Sequence, residues 1–366
     1  MTLFLCGDVM TGRGVDQILP HPSRPELFEP YVRSALTYVE LAEQVSGSIP
    51  RAVPPTYIWG EALKELAKIR PDLRIVNLET AVTSSDDAWP GKGIHYRMHP
   101  QNAPVLSAFG IDCCVLANNH VLDWGYPGLL ETLDTLHRIG IATAGAGRSA
   151  EEATAPAILE VAGKGRVLVF AYGTLDSGVL PEWAAGPRRP GVNFLADLSD
   201  ANLAAVAQQV QANKRPGDMA IVSVHWGGNW GFTIPSAQRR FAHRLIDEAG
   251  VDLVHGHSSH HVKGIEVYRD KLILYGCGDF LNDYEGIGGY EQYRGDLGAM
   301  YFPKLDARSG KLLKLCLVPT QVKKFQVTYA PEEGVAWLIE TLNREGRKLG
   351  TGVERQPDGS LVLTWA

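Results

Sequence analysis

Along this chain, short apolar runs stop again and again at a polar or titratable residue. Leu3–Cys6 leads into Gly7-Asp8, Leu73–Leu78 into Glu79, and Cys113–Ala117 into Asn118-Asn119-His120. Met219–Val224 leads into His225, and Val251–Val254 into His255-Gly256-His257-Ser258-Ser259-His260-His261. Val167–Tyr172 and Leu272–Tyr275 are further runs of the same kind. Runs of this length without alternation suit strands buried on both faces, which is the habit of parallel sheets covered by helices. Helical patterns separate them: Tyr126 to Ile139, Leu198 to Ala212 after a Ser-Asp-Ala-Asn start, and Ser236 to Ala249 before Gly250. The fold class is therefore α/β. In a parallel sheet the residues that follow each run project from one edge, where such sheets bind their ligands.

The 366 residues carry 35 Lys plus Arg against 41 Asp plus Glu, a net charge of −6, and 45% are hydrophobic. That excludes a disordered chain. Without a basic run there is no electrostatic footprint for nucleic acid or for an anionic membrane surface. No apolar stretch approaches the roughly 18 residues of a membrane span, and MTLFLCGDVM lacks the basic start of an export signal; the chain as given is expected in the cytoplasm. Cys6, Cys113, Cys114, Cys277 and Cys316 sit in apolar runs without a CxxC and read as core thiols.

The residues gathered at the run ends mix imidazoles, the carboxylates of Asp8 and Glu79, and an Asn amide. Imidazole suits Zn, Mn or Fe, and a carboxylate between two ions offsets their charge. The composition is that of a site for a divalent transition metal, one ion or two. Two stretches break the strand and helix rhythm: a Pro-rich insertion at about 20–59, and the Gly- and Tyr-rich Asn282–Asp296. Both are candidate pocket walls or ordinary surface loops. After Leu297, AMYFPKL and KLLKLCLVPTQV predict late antiparallel strands, and Pro331–Leu349 a helix. The expected organisation is one domain over 1–330, with a C-terminal helix and tail over 331–366 packed on it.

Seven pieces in order, GDVMTGR (7–13), NLET (77–80), YRMHP (96–100), ANNHVLDWG (117–125), VHWG (224–227), GHSSHHVKGIEVY (256–268) and LYGCGDF (274–280), resemble the CapA family of bacterial capsule, or poly-γ-glutamate synthesis, proteins. That family is similar in fold to the calcineurin-like metallophosphatases. The resemblance implies a four-layer αββα sandwich with a two-metal site on one edge. Asp8 resembles the first-motif aspartate, and Glu79 stands where the phosphatases place a bridging aspartate. Asn119 resembles the amide ligand, His120 the histidine that protonates the leaving oxygen, and His225 the lone histidine ligand. His257 and His260 are spaced one residue wider than the usual His-x-His. Met10 stands where an imidazole is usual, and a thioether is a poor ligand for Mn or Zn. One metal position would then hold Asp8, Glu79 and His260, and the other Glu79, Asn119, His225 and His257.

Arg13 and Arg97 are the candidate cations for a small anionic or peptide-like substrate, with structural ion pairs as the alternative. Asp123 is expected to cap the next helix, with orientation of His120 as the alternative. Asp279 is a further carboxylate behind the site. Three functions remain open at this level: a metal-dependent hydrolase of phosphoester or related bonds; a peptide or amino-acid epimerase, or amide-handling enzyme, using Asp8 and His260 as an acid–base pair; and a non-catalytic accessory protein of poly-γ-glutamate synthesis.

Overall fold

In the computed structural model, which describes residues 1–365, the apolar runs become strands of two separate sheets. In the larger sheet Leu3–Val9 pairs in parallel with Leu73–Leu78, which pairs in parallel with Cys113–Val115. In the smaller sheet Met219–His225 lies in parallel between Gly165–Thr174 and Leu253–His257, and Lys271–Leu274 continues the parallel run. The expectation of a single parallel edge is corrected here: two sheets contribute strand ends to one place. The period of two along each strand explains how. Leu3, Leu5, Ile75 and Val115 share an apolar cluster with Val167, Val169, Ile221 and Leu253 of the other sheet. The alternate residues Phe4, Cys6, Val76 and Cys114 pack outward against Leu106, Leu129 and Leu133 of helices. On the far side Leu168, Phe170, Ala220 and Val222 pack against Leu203, Val206, Phe241 and Leu245. The result is a mixed α/β protein with multiple sheets and helices.

The expected helices are present as Gly125–Arg138, Asp200–Asn213 and Ser236–Asp247; the second is capped by the Ser199 hydroxyl accepting from the Asn202 N–H. The late strands are Leu297–Leu305 and Leu312–Lys323, antiparallel and part of the larger sheet. Beyond the helix Glu332–Gly346 the tail is more than a tail. Thr351–Arg355 and Leu361–Trp365 form an antiparallel hairpin, and Leu361 pairs with Leu317 to extend the larger sheet. Gln356-Pro357-Asp358-Gly359 was its signal, with Gly359 at φ +84°. The Pro-rich insertion contains the helix Leu36–Ser46 and ends in Trp59, which stacks on Phe109 at 4.3 Å and donates to the Val105 carbonyl. Its apolar residues Val39, Ala42, Ile49 and Ile58 belong to the outer cluster, so it is packed rather than loose. Cys6, Cys113, Cys114 and Cys277 are buried free thiols and Cys316 is half-buried and free.

One close approach fixes the strand that matters most. A Cβ on Gly7 would sit 1.6 Å from the Gly278 carbonyl oxygen, the group that accepts from the Asp8 N–H at 3.1 Å. A side chain there forces two backbones apart. We expect Gly7→Ala to cost about 2 kcal/mol or more in urea unfolding, as overpacking against rigid backbone does; a variant as stable as the parent would show that this contact is slack.

Candidate functional site

The C-terminal ends of Leu3–Val9, Met219–His225 and Leu253–His257 bring Asp8, His225 and His257 together. These three fully buried residues offer ligand atoms within 4.8 Å of one another. A second group, Asp8, His260 and Asp279, has the same property. Asp8 is common to both. The carboxylate shared by the two groups is thus Asp8, whereas the family likeness gave that place to Glu79. Asp279 is the register partner of Asp8 on the short parallel strand Asp279–Leu281, so its position follows from strand pairing and not from the end of the run before it. Met10 is buried, and its N–H donates to the Leu281 carbonyl at 2.9 Å. With Asp279 present, the second group has two carboxylates and an imidazole without a histidine at position 10.

Glu79 lies at the edge of both groups. Its Oε1 is 3.8 Å from His225 Nε2 and 3.9 Å from His120 Nε2. The Asn77 amide donates to Asp8 Oδ1 at 2.7 Å and to Glu79 Oε2 at 3.0 Å, clasping the two carboxylates. Asn118 holds Asn77 in turn, donating to its carbonyl at 3.0 Å. Asp8 Oδ2 is buried and has no hydrogen-bond partner. Burial, with Asp279 beside it, pushes the Asp8 carboxyl up to about 7. Burial followed by the neighbouring Asp8 and Asp279 pushes Glu79 up as well.

The imidazoles are individually oriented. His225 meets the Asn119 carbonyl through Nε2 at 2.9 Å and His257 through Nδ1 at 2.8 Å. His257 Nε2 meets the Ser223 hydroxyl at 2.8 Å. His255 contacts the Cys6 carbonyl at 2.7 Å and Ser223 at 3.1 Å, which makes it a bracket between the sheets. His260 Nδ1 is 2.9 Å from Asp279 Oδ1, and its Nε2 lies 3.0 Å from the Asn229 amide. Burial works against charge on His260, yet Asp279 outweighs it and raises the ring above its ordinary value. Burial lowers His225 and His257, and brings His120 down to about 4.

Asp123 orients His120 and caps no helix. Its Oδ2 accepts from His120 Nδ1 at 2.7 Å and from the Tyr96 N–H at 2.6 Å, while Lys92 pairs with Oδ1 at 2.5 Å; the helix Gly125–Arg138 has no side-chain cap. Lys92 Nζ also lies 3.1 Å from His120 Nδ1; with the ring proton on Nδ1 and directed at Asp123, Nε2 is the acceptor nitrogen facing Glu79. Lys92 lies outside the motifs, in the Gly-rich stretch before His95, so nothing in the residues around it signals this role. The two candidate anion-holding arginines are both engaged within the protein. Arg13, at φ 50°, is buried; its Nε and Nη2 donate to Asp283 at 2.7 and 2.6 Å, its Nη1 to Glu29 at 2.9 Å, and the guanidinium lies over Tyr38 at 3.6 Å. Arg97 Nη1 donates to Asp86 and to the Ser85 carbonyl, both at 2.7 Å, and its guanidinium covers Trp124 at 3.9 Å. Their geometry is that of structural ion pairs.

The family described as "Bacterial capsule synthesis protein PGA_cap" matches residues 2–284. A protein of Mycobacterium tuberculosis (strain ATCC 25618 / H37Rv), described as a probable polyglutamine synthesis accessory protein, is 47% identical over 364 residues, 99% of this chain and 96% of its own length. The PGA biosynthesis protein CapA of Bacillus subtilis (strain 168) is 26% identical over 372 residues, 98% of this chain and 80% of its own. Among solved structures, GAP50, the anchor in the inner membrane complex of Plasmodium, aligns with 98% of each chain at 10% identity and a TM-score of 0.37, a likeness too distant to inform the fold.

Two outcomes follow from this geometry. Removing the Arg13 guanidinium leaves Asp283 and Glu29 buried without their cation, so Arg13→Ala should lose about 3–5 kcal/mol in urea unfolding; a variant of parental stability would return Arg13 to ligand binding. The second concerns acid. Burial holds His95, His120, His225, His255, His257 and His261 below their ordinary value of 6.5. The unfolded chain protonates them near 6.5 and the folded chain does not, so their contribution is full above 6.5 and is lost as pH falls toward about 4. Asp8, Glu79 and His260 are raised and act in the opposite sense, but the lowered histidines outnumber them. With chelator present, the unfolding temperature should fall steadily from pH 6.5 to about 4.5; a rise over that window would mean the buried imidazoles are charged.

Proposed function

The chain belongs to the bacterial capsule synthesis protein family PGA_cap, and from that membership we propose that it is an accessory protein of glutamyl-polymer capsule synthesis whose buried cluster is a metal-dependent hydrolytic centre. The layering of two sheets between helices is read here as the αββα sandwich of calcineurin-like metallophosphatases. The observation that carries the proposal is the pair of ligand groups sharing Asp8, one of whose oxygens is buried and unpartnered. Three carboxylates (Asp8, Asp279 and Glu79), three imidazoles and an amide carbonyl are donors suited to Mn, Zn or Fe.

Asp8, His225 and His257 would hold one divalent ion, and Asp8, His260 and Asp279 a second, with Glu79 and Asn119 at the margin of the first. A bound ion supplies Lewis-acid polarisation of the scissile phosphoryl or acyl group and offsets the charge of the carboxylates. Asn77 keeps Asp8 and Glu79 in fixed orientation through one amide. His120, held at Nδ1 by Asp123, presents Nε2 to the reacting oxygen and takes its proton or returns it. The substrate is a small anionic or peptide-like molecule, a phosphoester or a glutamyl bond. The mycobacterial relative's description as a probable accessory protein favours a second reading, in which the same cluster holds a polymer end without turnover.

Elemental analysis of protein purified without added metal tests the centre directly, followed by assays on an aryl phosphate, a phosphodiester and γ-glutamyl peptides. We expect bound Mn, Zn or Fe, with metal and turnover both falling about a hundredfold in His225→Ala and Asn119→Ala. Unchanged turnover in those variants refutes the hydrolytic centre. Metal with no turnover of any substrate class leaves the holding role, and exchange of deuterium into a peptide in chelator would point instead to Asp8 and His260 moving a proton.

A further inference from the structure

A cleft of about 550 Å³ opens next to the cluster, lined by the aromatic rings of Trp230, Tyr284 and Tyr290 together with Ile287 and Val45. Its size and lining are those of a small-molecule site. Trp230 and Tyr290 lie flat on each other, their centroids 4.3 Å and their planes 6° apart, and Tyr290 is 49% exposed. One wall is shared with the cluster: the Tyr284 hydroxyl is 3.4 Å from His260 Nε2, and the Trp230 ring lies 5.4 Å from the His260 ring. Another wall comes from the end of the helix Leu36–Ser46, whose Ser46 hydroxyl donates to Glu285 Oε1 at 2.7 Å.

The charges around the cleft give the chemistry of its occupant. Glu285, Glu291 and Glu333 line it, and among the described residues none of the three has a cationic nitrogen within 4.0 Å. Glu285 accepts from the Ser46 hydroxyl and the Phe325 N–H, and Glu291 from the Gly289 N–H, so both are hydrogen-bonded but not neutralised. Glu333, in the first turn of the helix Glu332–Gly346, acts through space on Arg294. Arg294 is already engaged by both oxygens of Asp296, each at 2.8 Å. Lys323 is the one lining cation with no carboxylate within 4.0 Å among the described residues. Three unpaired carboxylates against one lysine leave the cleft negative. The free carboxylates of a glutamyl polymer would meet like charge there, whereas an ammonium gains from the carboxylates and from the ring faces alike.

We infer that this cleft takes a primary ammonium group, carried on the part of the substrate that extends past His260 from the group held at the cluster. A γ-glutamyl bond to a basic residue has that form, with the glutamyl carbonyl at the cluster and the side-chain amine in the cleft. The inference rests on reading the cluster as a substrate site, but its test compares binding and does not pass through turnover.

Calorimetric titration of the full-length protein as purified, with γ-glutamyl-lysine, γ-glutamylnorleucine and γ-glutamylglutamate, decides it. Norleucine is lysine without its amine, so the first pair isolates the charge. The lysine dipeptide should bind about tenfold more tightly than the norleucine one, and the glutamate dipeptide more weakly than either. Replacing the two exposed carboxylates together, Glu291→Gln with Glu333→Gln, should cut that preference to about threefold or less, and Trp230→Leu should lower it as well. The same preference in a His225→Ala background supports the cleft even where the hydrolytic reading has failed. Equal binding of the lysine and norleucine dipeptides, tighter binding of the glutamate one, a preference unmoved by the double Gln variant, or binding of none of the three by the parent overturns the assignment.

Discussion

Asp8, Glu79 and Asp279 lie buried within reach of one another, and the rest of the structure is arranged around holding them there. Carboxylates in a low-dielectric interior repel one another and resist ionisation, so each needs a partner held in place beside it. Asn77 is the partner of two of them at once, Asn118 holds Asn77, and His260 serves Asp279. None of these helpers is replaceable by a residue of merely similar size, because each contributes a hydrogen bond in a defined direction. Two sheets packed face to face supply that direction: register within the larger sets Asp8 opposite Asp279, and register within the smaller sets His225 opposite His257.

Much of this was legible in the residues. Strands buried on both faces announce themselves as unbroken apolar runs, and Leu73–Leu78 or Met219–His225 fall within a residue of where the runs stop. The division of those runs between two sheets was not legible, since a parallel strand reads the same in either. Asp279 was visible as a carboxylate after a run, but its place beside Asp8 is a matter of pairing between segments 271 positions apart in sequence numbering. Asp123 stands close to a helix start, where capping residues gather, and also three after His120; the residues alone do not weigh one against the other, whereas the Tyr96 N–H and Lys92, both distant in the chain, decide it. Arg13 and Arg97 looked like anion holders because a guanidinium in a loop has the same appearance whether its partner is a ligand or Asp283.

Family membership and geometry speak to different questions here. The former ties the chain to capsule synthesis, and the latter presents a buried set of donors with an acceptor nitrogen of His120 facing it. One scaffold hosts many chemistries, so neither alone fixes the reaction. Together they support the proposal of a site for an anionic or peptide-like group, next to side chains whose charge state depends on burial.

The guanidinium of Arg13 joins two loops that the chain keeps far apart. Glu29 and Tyr38 come from the Pro-rich insertion, Asp283 from the Gly- and Tyr-rich segment, and all three close on one side chain whose own backbone is left-handed. Surface loops usually diverge independently between relatives, but these two are mechanically one piece. Grafting either onto a homologous scaffold without the other would strand a charge in the interior, so chimeras exchanging the rim of this protein must carry both loops as a set.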